Sequence, residues 1–318
     1  MIDKVELTPK QINEFVGQSD NVKVLKTAIF VAKEKQTCID HTLIYGNSGL
    51  GKTTLAKIVS NELKSNFIYI SAPSVTTVLE MVSIISNIQE NDVLFIDEIH
   101  RLSQKLEEVL YTVMENFKLS FILSSEENAK PLEIALPKFT LVAATTMVYR
   151  LSTPLRNRFP IQIKLEDYSF ESIKKMTQKL FKKMRIKITD EAANLVATSS
   201  RKNPRILKNN CRRIWDYAIY KKLDNIDISD VLEVLKRMKI YDDGLNAIDV
   251  DILRTMLLKF NNKPTSLDTV ALVIGENKYD IATLNEPYLV ENGYIIRTKR
   301  GRILSEKGVQ FIQKIDNK

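Results

Sequence analysis

Gly46-Asn47-Ser48-Gly49-Leu50-Gly51-Lys52-Thr53 fits the phosphate-binding pattern G-x-x-x-x-G-K-[ST] at every position. Each fixed residue has a chemical task. Gly49 and Gly51 let backbone N–H groups curl round a phosphate, Lys52 supplies a cation for the γ-phosphate, and Thr53 offers its hydroxyl to magnesium. The run TLIY (42–45) reads as a strand entering the loop, and apolar spacing over 52–63 predicts a helix leaving it, positive end toward the phosphates. This is the context the motif demands.

Further along, VLFIDEIHR (93–101) is a strand that delivers two adjacent carboxylates to its end. Asp97 is placed to hold hydrated magnesium, and Glu98 to orient and deprotonate an attacking water. Ala144-Thr145-Thr146 ends another strand with hydroxyls that could hold that water or sense the γ-phosphate. LSTPLRNRF (151–159) presents Arg156 and Arg158 after Pro154, where an arginine can reach a nucleotide on a neighbouring subunit, which requires an oligomer. Asn203-Pro204-Arg205 puts one more arginine in the first turn of a helix. His41 and His100 read as packing or hydrogen-bonding residues.

Around these motifs, TLIY (42–45), FIYIS (67–71), VLFI (93–96), TLVAA (140–144) and IQIKL (161–165) alternate with helical stretches at 52–63, 75–88 and 104–117. That alternation predicts an α/β domain whose largely parallel sheet is covered on both faces. An insertion at 119–137 has two apolar arms around a polar tip, 124–130, and reads as a projecting hairpin. From 169 the pattern turns helical, at 170–184, 190–199, 204–221 and 229–238, with Asp190 and Ser229 as expected N-caps. After a turn at 241–244 come helices near 249–260, 266–274 and 280–292. YIIRTKRGRIL (294–304) then reads as two strands joined at Arg300-Gly301, with a helix from Ser305. Three helices and a two-stranded wing suggest a winged helix. The expected domains are 1–168, 169–240 and 241–318.

A chain of 318 residues that is 44% hydrophobic can bury such cores. The net charge of +8 concentrates in 169–240, a basic module between two nearly neutral ones, which could face nucleic acid, an acidic neighbour or only solvent. Cys38 and Cys211 lie far apart without partners at ligand spacing, which excludes a zinc knuckle or a disulfide framework. No run is long and apolar enough for a membrane span, and MIDKVELTPK lacks a signal-peptide core, so the expectation is no membrane and a cytoplasmic location.

In this order the pieces resemble an AAA+ ATPase. DVLFIDEIHRLS (92–103), EEVLY (107–111), FTLVAATT (139–146), LSTPLRNRF (151–159), EPYL (286–289) and RTKRGR (297–302) resemble the bacterial RuvB family, motors of Holliday-junction branch migration. The likeness spans nearly the whole chain, hairpin and winged helix included. It implies an α/β AAA+ domain, a small helical lid and a winged-helix head. It also implies a homohexameric ring that encircles duplex DNA and uses ATP and Mg2+, with RuvA as partner and a RuvC-type resolvase nearby.

By position, Lys52, Thr53 and Thr54 would bind phosphate and magnesium, Asp97 and Glu98 would drive hydrolysis, and Thr146 (or Thr145) would be the first sensor. Arg158 would be the finger and Arg205 the second sensor. Leu7, Thr8, Gly49, Leu50, Gly51, Glu115, Asn116, Phe117 and Tyr168 would fall at further nucleotide-contacting positions. The hairpin 119–137 would dock on RuvA, and Lys278, Arg297 and Arg302 would grip DNA. The chain also departs from the family: Asn47-Ser48 stand where two prolines are usual, Thr8 where an adenine-side arginine is, Asn116 for an acid and Lys278 for an arginine. A clamp-loader or initiator ATPase, or an ATP-controlled winged-helix switch, is the alternative reading.

Overall fold

β-Branched and aromatic runs become strands where both faces can be covered. In the computed structural model, which describes residues 6–121 and 132–317, the strands are β1 (Thr42–Tyr45), β2 (Phe67–Ser71), β3 (Val93–Asp97), β4 (Lys118–Phe121), β5 (Leu132–Ala135), β6 (Thr140–Thr145), β7 (Ile161–Lys164), β8 (Lys187–Ile188), β9 (Asn225–Ile226), β10 (Ile295–Thr298) and β11 (Gly301–Leu304). The helices are α1 (Ser19–Lys35), α2 (Lys52–Leu63), α3 (Val78–Ile85), α4 (Gln104–Asn116), α5 (Thr153–Asn157), α6 (Phe170–Lys183), α7 (Asp190–Thr198), α8 (Pro204–Lys221), α9 (Ile228–Arg237), α10 (Ala247–Arg254), α11 (Leu267–Ile274), α12 (Lys278–Asp280), α13 (Glu286–Glu291) and α14 (Glu306–Asp316). They form two compact units, Met1–Ile226 and Asp227–Lys318. The division falls before α9, the last helix of the stretch read as a helical lid.

The first unit is built on a parallel five-stranded sheet in the order β2-β3-β6-β1-β7. Strand residues alternate between its faces. Leu43, Leu94, Ile96 and Leu141 pack with Met81, Ile85, Leu106, Leu110 and Val113 of α3 and α4. Ile44, Phe95 and Val142 point the other way and are equally buried, on the face where α2 packs. The expected α/β fold with a covered parallel sheet is what forms.

α1 is a helix the sequence reading did not draw. Val22, Leu25, Ile29 and Ala32 give it a buried stripe, but exposed Val24, Phe30 and Val31 blur the amphipathic contrast. β4 and β5 pair antiparallel as the arms of the expected hairpin; its tip lies outside the described residues. α6, α7 and α8 pack round Phe181, Val196, Leu207 and Cys211, beside a short parallel β8–β9 pair. Both cysteines are free.

Two expected caps are corrected. Thr189, not Asp190, caps α7, its side chain accepting from the Ala192 N–H. Asp227, not Ser229, caps α9 through a reciprocal box with Asp230. In each case the cap is the last extended residue before the first turn. Asp190 falls inside that turn, where its charge favours the helix dipole.

In the second unit α10, α11, α13 and α14 enclose Leu253, Val270, Leu289, Tyr294 and Phe311, and β10–β11 form the wing. The joint is Lys299-Arg300, one residue earlier than expected, with Gly301 at φ 140. The stretch read as one helix at 280–292 begins earlier, at Lys278, and passes through a wider π turn, Ile281–Asn285, before α13. Pro287 has no N–H for the carbonyl four residues back, so a regular α-helix is interrupted there.

Candidate active site

Because β3, β6 and β1 run parallel side by side, their C-terminal ends open on one edge, where open parallel sheets bind ligands. That edge carries the glycine loop after β1, Asp97 and Glu98 after β3, and Thr145 and Thr146 after β6. Gly46 and Gly49 are required for different reasons. A Cβ on Gly46 would lie 2.5 Å from the Leu165 carbonyl oxygen, and one on Gly49 2.3 Å from Asn203 Oδ1. Both also have φ values, 143° and 85°, that other residues adopt only under strain.

Lys52 is buried, and its Nζ donates to the carbonyls of Gly46 (2.8 Å) and Asn47 (2.9 Å). Burial lowers its proton affinity, partly offset by Glu98 and Asp97. The Asp97 carboxyl is pushed up by burial and then by Glu98, while its Oδ1 accepts the Glu98 N–H at 3.0 Å. Glu98 itself sits at φ 52, ψ 43, a left-handed conformation worth about 1–3 kcal/mol of strain. Two groups meet its Oε2: the Thr146 hydroxyl donates at 3.2 Å, and His100 Nδ1 lies at 3.2 Å. His100 Nδ1 is also 2.9 Å from Thr145 Oγ1, so the neutral tautomer with its hydrogen on Nδ1 can share that one hydrogen between the carboxylate and the hydroxyl. Burial favours that neutral ring.

The two threonines are thereby distinguished. Thr145 is buried and its hydroxyl accepts from the Met147 N–H, whereas Thr146 addresses Glu98. His41, by contrast, is a core residue: its Nδ1 accepts from the Leu141 N–H and its Nε2 donates to the Met114 carbonyl.

α8 closes the loop from the other side. Arg205 Nη1 donates to Ser48 Oγ at 3.1 Å and Asn203 Nδ2 to the Ser48 carbonyl at 2.8 Å. A proline at position 48 would offer no hydroxyl, so the Ser48 departure gains a contact. Between the loop and α6–α8 runs a cleft of about 650 Å³. Leu7, Thr8, Gly49, Leu50, Gly51, Lys52, Thr53, Thr54, Asp97, Glu98, Tyr168 and Arg205 all line it. The buried Tyr168 donates its hydroxyl to the Leu50 carbonyl at 3.0 Å.

Arg158, Glu115, Asn116 and Phe117 do not line the cleft. Arg158 Nη2 pairs with Glu115 at 2.7 Å, Nη1 donates to the Pro154 carbonyl at 2.9 Å, and the guanidinium lies over the Tyr111 ring. Phe117 packs edge-on against Phe139 in the core, and Asn116 is exposed. Sequence reasoning missed Ser48, Phe15 and Lys208 in the cleft; the side chains that meet there from 150 or more residues away leave no local signal.

In the second unit Lys278 pairs with Asp268 at 2.7 Å. Arg302 forks onto the buried Glu286, with Arg297 Nε 3.3 Å from the same carboxylate. Lys299 and Arg300, at the wing tip, make no ion pair among the described residues and were not singled out from the sequence.

Three family models match end to end: the Holliday junction DNA helicase RuvB P-loop domain over residues 7–165, the RuvB AAA lid domain over 168–241, and the RuvB C-terminal winged helix domain over 242–313. The chain belongs to the RuvB family. A RuvB Holliday junction branch migration complex subunit of Mycoplasmopsis pulmonis is 36% identical over 315 residues, covering 99% of this chain and 100% of that one. A RuvB subunit of Rickettsia africae is 40% identical over 304 residues, 95% of this chain and 88% of that one. Among solved structures, the Thermotoga maritima RuvB Holliday junction branch migration motor superposes with a TM-score of 0.82 at 36% identity, covering 96% of this chain and 98% of that one. RuvB-family membership makes the protein an AAA+ P-loop ATPase, in place of the clamp-loader and initiator alternatives. No helix among the described residues is long and apolar enough to cross a membrane.

Proposed function

We propose that this chain is the ATP-driven motor subunit of a Holliday-junction branch-migration machine in recombination and DNA repair. It acts in the cytoplasm with a RuvA partner and with further copies of itself in a six-membered ring. The observation that supports this best is a full-length likeness to RuvB proteins combined with a cleft that gathers Lys52, Thr53, Asp97 and Glu98.

Magnesium fits the donors. Thr53 and the half-buried Asp97 both line the cleft with hard oxygens, few enough to suit an ion that keeps most of its waters, and no larger ligand cluster exists among the described residues. When bound, the ion neutralises phosphate charge. Lys52 binds the β- and γ-phosphates. Glu98 takes the proton of the attacking water, with its carboxylate aimed by Thr146 and His100. Arg205 ties the nucleotide's state to α8, since it already contacts the loop through Ser48.

Arg158 lies outside the lining of its own cleft, which suits a finger serving the next subunit. Glu115, which pairs with it, and the adjoining Asn116 and Phe117 at the end of α4 are assigned to that shared boundary by their position in the chain. The hairpin 119–137 takes RuvA, Lys278 of α12 and Arg297 and Arg302 of the wing belong to the DNA-gripping winged helix, and a RuvC-type resolvase meets the machine at the junction.

The test is a four-way-junction migration assay with ATP, with and without RuvA, on wild type and Glu98→Gln. Wild type should move junctions. Glu98→Gln should still bind ATP while turnover falls by about a hundred- to ten-thousand-fold. Full turnover in that variant removes Glu98 as the base. Intact hydrolysis with no migration in any condition would turn the reading to an ATP-controlled DNA-binding switch.

A further inference from the structure

The cleft has two unlike ends. Lys52, Thr53 and Asp97 mark one, and a nucleotide whose β- and γ-phosphates sit there must extend its base toward the other. Away from those groups the lining is largely apolar, with Leu7 and Phe15 of the N-terminal strap that precedes α1 and Met176, Leu180 and Leu207 of the lid helices α6 and α8, surfaces suited to a flat ring. Its cations are not equivalent. Lys183 is paired with Glu14 at 3.0 Å, and Lys179 reaches the Glu14 carbonyl. Lys208 is half-buried, has no carboxylate partner among the described residues, and donates at 2.9 Å to the neutral Thr8 hydroxyl. Burial, and then Arg212 and Lys57, act against its charge, and Glu6 offsets them only in part. An ammonium held there with no carboxylate paired to it costs stability and keeps two N–H groups without a fixed partner.

We propose that Thr8 and Lys208 read the nucleobase, Thr8 holding the ammonium against the cleft wall while Lys208 donates a second hydrogen bond to a ring-nitrogen acceptor on the purine edge. The proposal rests on the cleft being the ATP site. It makes the lid a direct sensor of the base and assigns the recognition to a residue 200 positions away from the strap it meets.

The alternative is that the Lys208–Thr8 bond is only a clasp between strap and lid. Calorimetric binding of ATP and of inorganic tripolyphosphate to the full chain separates the two. Lys208→Met should raise the Kd for ATP about 10- to 100-fold, the worth of a hydrogen bond to a charged group, and leave tripolyphosphate within about twofold. Lys208→Arg should recover most of the loss, and Thr8→Val should show a smaller loss with the same selectivity for ATP. Equal weakening of both ligands, or an unchanged ATP Kd in a variant that melts like wild type, overturns the base-reading role. If Lys208→Met does not fold, Thr8→Val decides by the same comparison. Wild-type ATP turnover in the same preparation tests the cleft's identity separately, so failure of one reading is not mistaken for failure of the other.

Discussion

Arg302 turns its charge inward. Its Nε and Nη2 meet Glu286 Oε1 and Oε2 at 2.7 and 3.2 Å, and the Glu286 side chain is only 6% exposed. Removing Arg302 leaves the buried Glu286 carboxylate with only the solvent-exposed Arg297 against it. Arg302→Ala should therefore destabilise the winged helix by roughly 3 kcal/mol or more, read as faster hydrogen exchange across β10 and β11. Replacing both residues by methionine should recover much of the loss. An Arg302→Ala variant with unchanged exchange would contradict this, and so would a double variant no better than the single. The same residue shows a limit of sequence reading: RTKRGR displays its charges, but not the carboxylate at 286 that neutralises one of them. Thr145 and Thr146 show another, since two adjacent hydroxyls are alike in sequence and differ only in which way the strand end turns them.

At the scale of elements, α4 aims the candidate finger. Tyr111 and Glu115 lie one helical turn apart on one face; the first stacks on the Arg158 guanidinium and the second pairs with it. The Tyr111 hydroxyl bonds to Ser152 and Glu107, which fixes that ring to the cap of α5. Mixing Arg158→Ala with Lys52→Ala subunits should restore part of the ATPase lost by each alone, because one mixed interface pairs an intact cleft with an intact finger. A well-assembled mixture that stays inactive would sink action in trans. Element ends were legible where chemistry punctuates them. α2 starts at the lysine of the glycine loop and α8 at Pro204, as expected. α1 escaped because its outer face carries apolar side chains, and two caps shifted because several capping residues stand in a row.

For the whole molecule, the net charge of +8 matters less than where charge is left uncompensated. At the wing, Lys299 and Arg300 meet that condition and Arg302 does not. Lys299→Ala with Arg300→Ala should weaken duplex binding and reduce the slope of log K against log salt by up to about two. An unaltered slope in filter-binding or anisotropy titrations would remove the wing tip as a phosphate contact. Three segments and their order were readable along the chain because each has its own period and motifs. The proposed contacts between copies were not, because one chain would show only half of such a boundary. Inside the cleft, Lys52 is committed twice over, to the carbonyls of Gly46 and Asn47. On the proposed function, nucleotide entry is a partner exchange, and the affinity is a difference between two sets of hydrogen bonds. Tight binding can be reached by loosening the loop's hold on its own lysine as readily as by adding a contact to the ligand.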